Sequence, residues 1–265
     1  MSIPDVRKLR RGLKELSPLF QGPLEMPKPW IESPAPFLEV LSVVSADTAG
    51  DSFLLNSFMA SQIASAEKPC SLFSFQYHRH EDKLMENEFF SPYLRRFSLA
   101  WDQFEEVCRW PIHQDFLANP FAQLLFFDFE SFSFPQIDKA VSLIDKWIFV
   151  LRPTYESMTE TYKLLKAVVH LNPAGTHFVL LERPLDDRMG SHLFEKFSSL
   201  VAKHLGIQIY GLGYLDFAHR PERMGSALNL DSLFLEIPSK IDSPEKIALA
   251  EFIHSSSVLP RASAL

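Results

Sequence analysis

Apolar residues fall into two alternating patterns along the chain. Continuous runs at Leu38 to Val44, Cys70 to Phe75, Leu124 to Phe129, Trp147 to Leu151 and Phe178 to Leu181 are bounded by polar, glycine or proline residues. Runs of this length and β-branched or aromatic content read as strands buried on both faces. Between them, apolar residues recur every three or four positions. Leu55, Phe58, Met59, Gln62 and Ile63 form one stripe and predict a helix after the first strand. Met158, Tyr162, Leu165 and Val169 mark a helix over Glu156 to His170. Phe194, Phe197, Leu200 and Val201 mark another over Ser191 to Leu205, stopped by Gly206. Residues 136–146 also read as helix, and Ile207 to Leu215 as a strand broken by Gly211 and Gly213. In residues 78–119, Leu94, Phe97, Trp101, Phe104, Val107 and Cys108 keep helical spacing, which predicts one or two helices and no strand.

Strands alternating with amphipathic helices predict an α/β fold, a mainly parallel, doubly wound sheet with helices on both faces. Ligands of such sheets sit beyond the carboxyl ends of the strands. The segment from Ser45 to Ser52, Asp128 and Arg152 are expected there.

The first 36 residues differ in character. Leu9, Leu13 and Leu16 lie among Arg7, Lys8, Arg10, Arg11 and Lys14, so a short basic helix here could dock on a partner or on anionic lipid. A solvated tail is the plainer reading of the same pattern. Pro18, Pro23, Pro27, Pro29, Pro34 and Pro36 then exclude helix and sheet interior and predict an extended linker. Three regions result: a basic segment with proline-rich linker at 1–36, an α/β domain at 37–255 and a tail at 256–265.

Charge and cysteine content narrow the function. The net charge of −7 argues against general nucleic-acid binding, which needs a basic face. Two cysteines, Cys70 and Cys108, lie far apart without a C-x-x-C, indicating neither a disulfide framework nor a zinc or iron–sulfur site. No apolar run reaches the roughly 20 residues of a spanning helix. A soluble or peripheral protein of the reducing cytosol is expected. His78 and His80 sit beside Arg79, Glu81 and Asp82, but no third ligand has recognisable spacing and a polar loop is the simpler reading. The aromatic residues Phe89, Phe90, Tyr93 and Trp101 read as core or as a partner surface. No nucleophile triad or G-x-S-x-G elbow is present.

The stretch from Leu38 to Gln62 carries the candidate chemistry. A buried strand, a small-residue turn containing Gly50 and a helix make the layout of a P-loop, whose backbone N–H groups cradle phosphate. The pattern G-x-x-x-x-G-K-[ST] is not met, and Asp47 and Asp51 stand in the turn. Such a pair could also hold a divalent cation, or simply form a solvated turn with a helix N-cap.

The order of elements resembles the MinD/ParA class of deviant P-loop ATPases, nearest its FlhG (FleN) branch, which controls flagellar number and placement. Residues Ala140 to Val168 (AVSLIDKWIFVLRPTYESMTETYKLLKAV) resemble that family's strand, threonine–proline turn and following helix. Phe194 to Asn229 resemble the segment ending in its "LG…LGY.P.D" pattern and a helix near the nucleotide base. The resemblance spans residues 37–255 and implies a P-loop NTPase-like fold.

Carried over residue by residue, it implies a degenerate site. The signature lysine and the lysine before the threonine fall on Asp47 and Asp51. Gly50 matches a glycine of the turn and Ser52 the hydroxyl that would hold Mg²⁺. The aspartates after the second strand fall on Ser74 and Gln76, and the base-recognising asparagine falls on Glu182. Asp128 alone matches the Mg²⁺-associated aspartate, in a place where an aspartate commonly caps the next turn whatever the chemistry. Phosphoryl transfer depends on positioning and on neutralising γ-phosphate charge. A lysine-to-aspartate change turns that attraction into repulsion of about 4 kcal/mol at 4 Å and an effective dielectric near 20. Helix-terminal N–H groups, worth on the order of a kcal/mol, cannot offset it.

The resemblance therefore implies a pseudo-ATPase without catalytic residues, cofactor or metal. Such a protein would be a regulatory module binding a flagellar, pilus or polar component, without nucleic acid, in the cytoplasm or peripheral to the inner membrane. Facing acidic turns would repel, so a monomer or a dimer built on another surface is expected in place of the family's nucleotide sandwich. The family's C-terminal membrane helix is not evident in His254 to Leu265, which leaves Lys8, Arg10, Arg11 and Lys14 for membrane contact. The alternative is an active switch ATPase using ATP and Mg²⁺, with Asp128, Ser52 and a cation such as Arg152.

Overall fold

The computed structural model describes residues 37–46, 49–65, 68–76, 92–112, 122–129, 137–182, 187–215, 230, 233 and 243–258. The chain divides into two units, Met1–Pro34 and Ala35–Leu265, and all of these residues belong to the second. The basic residues Lys8, Arg10, Arg11 and Lys14, the proline segment, Asp47, His78, His80, Phe89 and Phe90 lie outside them.

Seven strands form one sheet: β1 (Phe37–Ser45), β2 (Cys70–Gln76), β3 (Leu94–Ala100), β4 (Ala122–Phe129), β5 (Lys146–Leu151), β6 (Thr176–Glu182) and β7 (Tyr210–Leu215). Their order is β3-β2-β4-β1-β5-β6-β7, and every neighbouring pair is parallel. Chain progression reverses about β1, the switch point at whose carboxyl ends doubly wound sheets bind their ligands. The architecture is an α/β, P-loop NTPase-like fold.

The helices are α1 (Ala49–Ile63), α2 (Trp101–Val107), α3 (Ile137–Leu143), α4 (Tyr155–Leu171), α5 (Asp187–Leu205) and α6 (Pro244–Val258). One face of the sheet packs against α2 to α6, the other against α1 and Leu233. Phenylalanines build much of the first core. Phe75 stacks on Phe129 and meets Phe104 and Phe127 edge-on, at centroid distances of 4.9–5.2 Å, geometry that adds to simple burial. Cys70 and Cys108 are buried and free.

The structure corrects several expectations. Leu94 to Ala100 is a strand, although its spacing reads as helix. It lies at the sheet edge and pairs with β2; Arg95, Arg96 and Ser98 face solvent while Leu99 is buried. The turn after β1 is shorter than expected, because α1 begins at Ala49 and places Gly50, Asp51 and Ser52 in its first turn. In α1, Gln62 is exposed, whereas every residue from Leu55 to Ala60 is buried, Asn56 and Ser57 included. The buried line of α4 is Ser157, Thr161, Leu165 and Val168, one position round from the expected stripe, with Met158, Tyr162 and Val169 partly covered. Leu200 of α5 is exposed. Helix α6 has no counterpart among the expected elements.

Gly206 follows α5 with φ +70°, the left-handed conformation that ends many helices, and its N–H donates to the Ala202 carbonyl at 3.1 Å. Gly213, at φ +103°, accompanies an irregularity opposite Val179 and Leu180, where Leu212 is passed over in the pairing of β6 with β7.

A buried histidine sets an acid limit on this core. His177 of β6 is 3% exposed, stacks against Phe149 at 6.2 Å, and has no hydrogen-bond partner for Nε2. Burial lowers its pKa from 6.5 to about 4. A depressed folded value means the neutral ring contributes fully above the unfolded pKa, and the contribution is lost as pH falls toward 4. The loss is about 3 kcal/mol at most. In urea melts the stability of wild type minus that of His177→Phe should fall between pH 7 and pH 4; parallel profiles would refute the assignment.

Candidate functional site

The parallel sheet brings the candidate residues to its carboxyl edge. Ser45 ends β1, Gln76 ends β2, Asp128 is the penultimate residue of β4, Arg152 follows β5 and Glu182 ends β6. Ser74 lies opposite Asp128 in the register of β2 with β4. Gly50, Asp51 and Ser52 open α1 at the same edge, and Asp47 lies outside the described residues. The described positions among those the sequence singled out therefore lie toward one edge of the sheet.

A residue absent from those expectations sits among them. Strand β1 pairs with β4 only from Phe37 to Leu41, and with β5 from Leu41 to Ser45. Past Leu41, the side-chain amide of Asn56 in α1 takes over on the β4 side. Asn56 Nδ2 donates to the Val43 carbonyl at 2.8 Å, and the Val43 N–H donates to Asn56 Oδ1 at 2.8 Å. Nδ2 also donates to Asp128 Oδ1 at 3.3 Å. The amide thus fills a strand's place for one residue and holds the Asp128 carboxylate, which is 5% exposed, against α1. Ser42 Oγ donates to the Phe127 carbonyl at 2.7 Å and closes the same gap one residue lower. The only sequence signal for Asn56 is a polar residue inside an apolar helix, which periodicity alone reads as surface.

Across the edge, Arg152 Nε donates to Glu182 Oε2 at 2.7 Å, with Arg152 Nη2 3.4 Å from Oε1. Glu182 is 4% exposed, so this ion pair is well shielded on the carboxylate side. The turn carrying Arg152 is fixed by its own hydroxyls. Thr154 Oγ1 caps α4 by accepting from the Ser157 N–H at 3.2 Å, and Ser157 Oγ accepts from the Arg152 N–H at 3.1 Å. Opposite charges ending consecutive strands were legible as separate residues, but their pairing needed the register.

Chemically, Asp128 and Glu182 at this edge are engaged by Asn56 and Arg152, and the Arg152 guanidinium is itself paired. Among the described residues, no three His, Cys, Asp or Glu side chains converge as a metal site. No helix among them is long and apolar enough to cross a membrane.

No protein-family model matches the chain, and neither does any curated protein. Solved structures resemble it at low identity. The MinC:MinD cell division protein complex of Aquifex aeolicus aligns with 85% of this chain and 98% of its own, at 14% identity and a TM-score of 0.44. A plasmid partition protein from Borrelia burgdorferi aligns over 83% and 99%, at 14% identity and TM-score 0.42. The ParA of pNOB8, solved bound to nonspecific DNA, aligns over 82% and 99%, at 10% identity and TM-score 0.42. The fold assignment rests on the strand order and parallel register given above.

Proposed function

We propose that this chain is a MinD/FlhG-like pseudo-ATPase, a P-loop NTPase-like fold whose nucleotide edge has become structure and whose role is regulatory protein binding. The observation that carries this is the engagement of Asp128. The carboxylate placed where the resemblance expects the Mg²⁺-associated aspartate accepts from Asn56, an amide that is itself locked onto β1 at 2.8 Å. Two further features support the reading. The resemblance puts the family's lysine positions on the acidic Asp47 and Asp51. Glu182, in the position of the base-recognising asparagine, is held by Arg152 at 2.7 Å. The cation that an active switch would have to recruit therefore already has a carboxylate partner.

In this reading the protein holds one shape without a nucleotide cycle and presents it to a protein component of a flagellum, pilus or cell pole. It would work in the cytoplasm or at the inner membrane through its basic N-terminal segment, as a monomer or as a dimer not built on a nucleotide sandwich. Calorimetric titration of ATP in the presence of Mg²⁺ tests it, with light scattering on the same samples. No saturable heat at micromolar concentration and no change in mass are expected. A micromolar Kd, or nucleotide-dependent doubling of the mass, would overturn the proposal in favour of the active switch.

A further inference from the structure

Strand β3 ends the sheet on the side of β2, and among the described residues no strand lies beyond it. The Cys70 N–H donates to the Tyr93 carbonyl at 2.9 Å. Backbone groups of a parallel strand turn to alternate sides, so those of Arg95, Phe97 and Leu99 also address β2. Those of Leu94, Arg96, Ser98 and Ala100 turn outward, where the Ala100 N–H is taken by Gln103 Oε1 at 3.0 Å. An outward row of this kind is a template for pairing with another chain. The opposite edge is blunted, because β7 carries Gly211 and Gly213 and an irregular register against β6. Strand β3 contains no glycine or proline and pairs with β2 residue for residue over its whole length.

An apolar patch lies beside this row. Phe97 and Leu99 belong to the face of the sheet covered by α2 and α6. The Phe97 ring is 5.8 Å from Phe252 of α6, and Phe252 is 5.3 Å from Trp110, which is 36% exposed. Tyr93, just before the strand, is 45% exposed. Aromatic residues exposed beside an edge strand mark an interaction surface.

The charges along the edge select the occupant. Arg95 and Arg96 are exposed in the first half of β3, while α2, which starts where β3 ends, exposes Asp102 and Glu106. A second copy laid parallel and in register would set like charges side by side. Laid antiparallel, it sets the basic half of each strand toward the acidic helix of the other, twice by symmetry. We propose that two copies of this chain pair β3 to β3, antiparallel about Phe97, and join their seven-stranded sheets into one. Arg96 then faces Ser98 across a hydrogen-bonded pair, and Arg95 faces Leu99 on the side of α2. Phe97, Phe252 and Trp110 gather near the two-fold axis. This contact closes on itself, where β3 against β7 would run on into a fibre. It stands apart from the pseudo-ATPase reading, since β3 carries none of the carboxyl-edge positions.

Sedimentation equilibrium of the full chain, without nucleotide, tests it. The mass should rise from monomer to dimer with a Kd on the order of 10 μM, that of a small interface. Ser98→Cys, at an exposed position of β3, should cross-link chain to chain with a short bismaleimide. Gln208→Cys, exposed just before β7, should not, and the native Cys70 and Cys108 are buried. Trp110→Asp should raise the Kd at least about tenfold. Arg95→Glu should do the same, and adding Asp102→Lys with Glu106→Lys in the same chain should reverse it. The proposal is overturned if the chain stays monomeric to about 200 μM, or if Gln208→Cys cross-links as readily as Ser98→Cys. It is equally overturned if Trp110→Asp, shown to be folded by its urea melt, leaves the Kd unchanged.

Discussion

Lys146→Met is expected to destabilise the domain by about 3–5 kcal/mol, because it strands a carboxylate inside the protein. Glu39 and Lys146 are 2% and 4% exposed, and the ammonium lies 2.5 Å from Glu39 Oε1 while also donating to the Leu233 carbonyl. Removing the cation leaves both Glu39 oxygens without a charged partner in a site that already raises the carboxyl pKa through burial. For a domain of this size the expected fall in Tm is roughly 10 °C.

The sign of the pH dependence identifies the cause. A carboxyl whose folded pKa lies above its unfolded value contributes stability below the unfolded pKa and loses it as pH rises through the folded value. The deficit of Lys146→Met should therefore be largest at pH 8 and shrink toward pH 5. Glu39→Leu combined with Lys146→Met removes both charges and should recover most of the loss, since a buried pair replaced by apolar groups is often neutral or better. A single variant costing under about 1 kcal/mol, or a double variant no better than the single, would show that the pair does not act as a unit.

These two charges explain part of what the sequence could and could not reveal. The buried strands were legible because both faces of a parallel sheet are covered, so β1, β4, β5 and β6 read as nearly continuous apolar runs. Glu39 and Lys146 interrupt or flank those runs, and nothing local says that they meet, since the contact depends on the register of β1 with β5. Strand β3 reads as helix for the complementary reason. An edge strand with one paired side tolerates Arg95, Arg96 and Ser98, and Leu94, Phe97, Trp101 and Phe104 happen to keep helical spacing through the strand into α2. Helix α6 is not legible in the sequence because residues 246–253 are buried or partly buried on every side, Lys246 and Glu251 included, and show no stripe. At the candidate site, Asp128 and Arg152 were legible from strand ends, and Ser74 and Glu182 only from the family resemblance. Their pairings were not, because Asn56 acts from a helix 72 residues before Asp128 and Arg152 from the end of a different strand.

Asn56→Leu is expected to cost about 3–5 kcal/mol, although leucine has the branched outline of asparagine and is far more at home in a core. The substitution removes the partner of the Val43 N–H and of the Val43 carbonyl, and one donor to Asp128 Oδ1. Each buried polar group left unmatched costs about 1–3 kcal/mol, which outweighs the gain from burying two more carbons. Asn56→Asp should be at least as damaging, since a carboxylate would face both the Val43 carbonyl and Asp128. Asp128→Asn should change stability by less than about 1 kcal/mol, because its amide oxygen can still accept from Asn56. Chemical denaturation of the three variants measures this ordering. If Asn56→Leu proves neutral, the amide is not what replaces β4 alongside Val43. If Asp128→Asn leaves stability intact but removes nucleotide binding seen in wild type, Asp128 serves a metal–phosphate site and the converted-crevice reading fails with it.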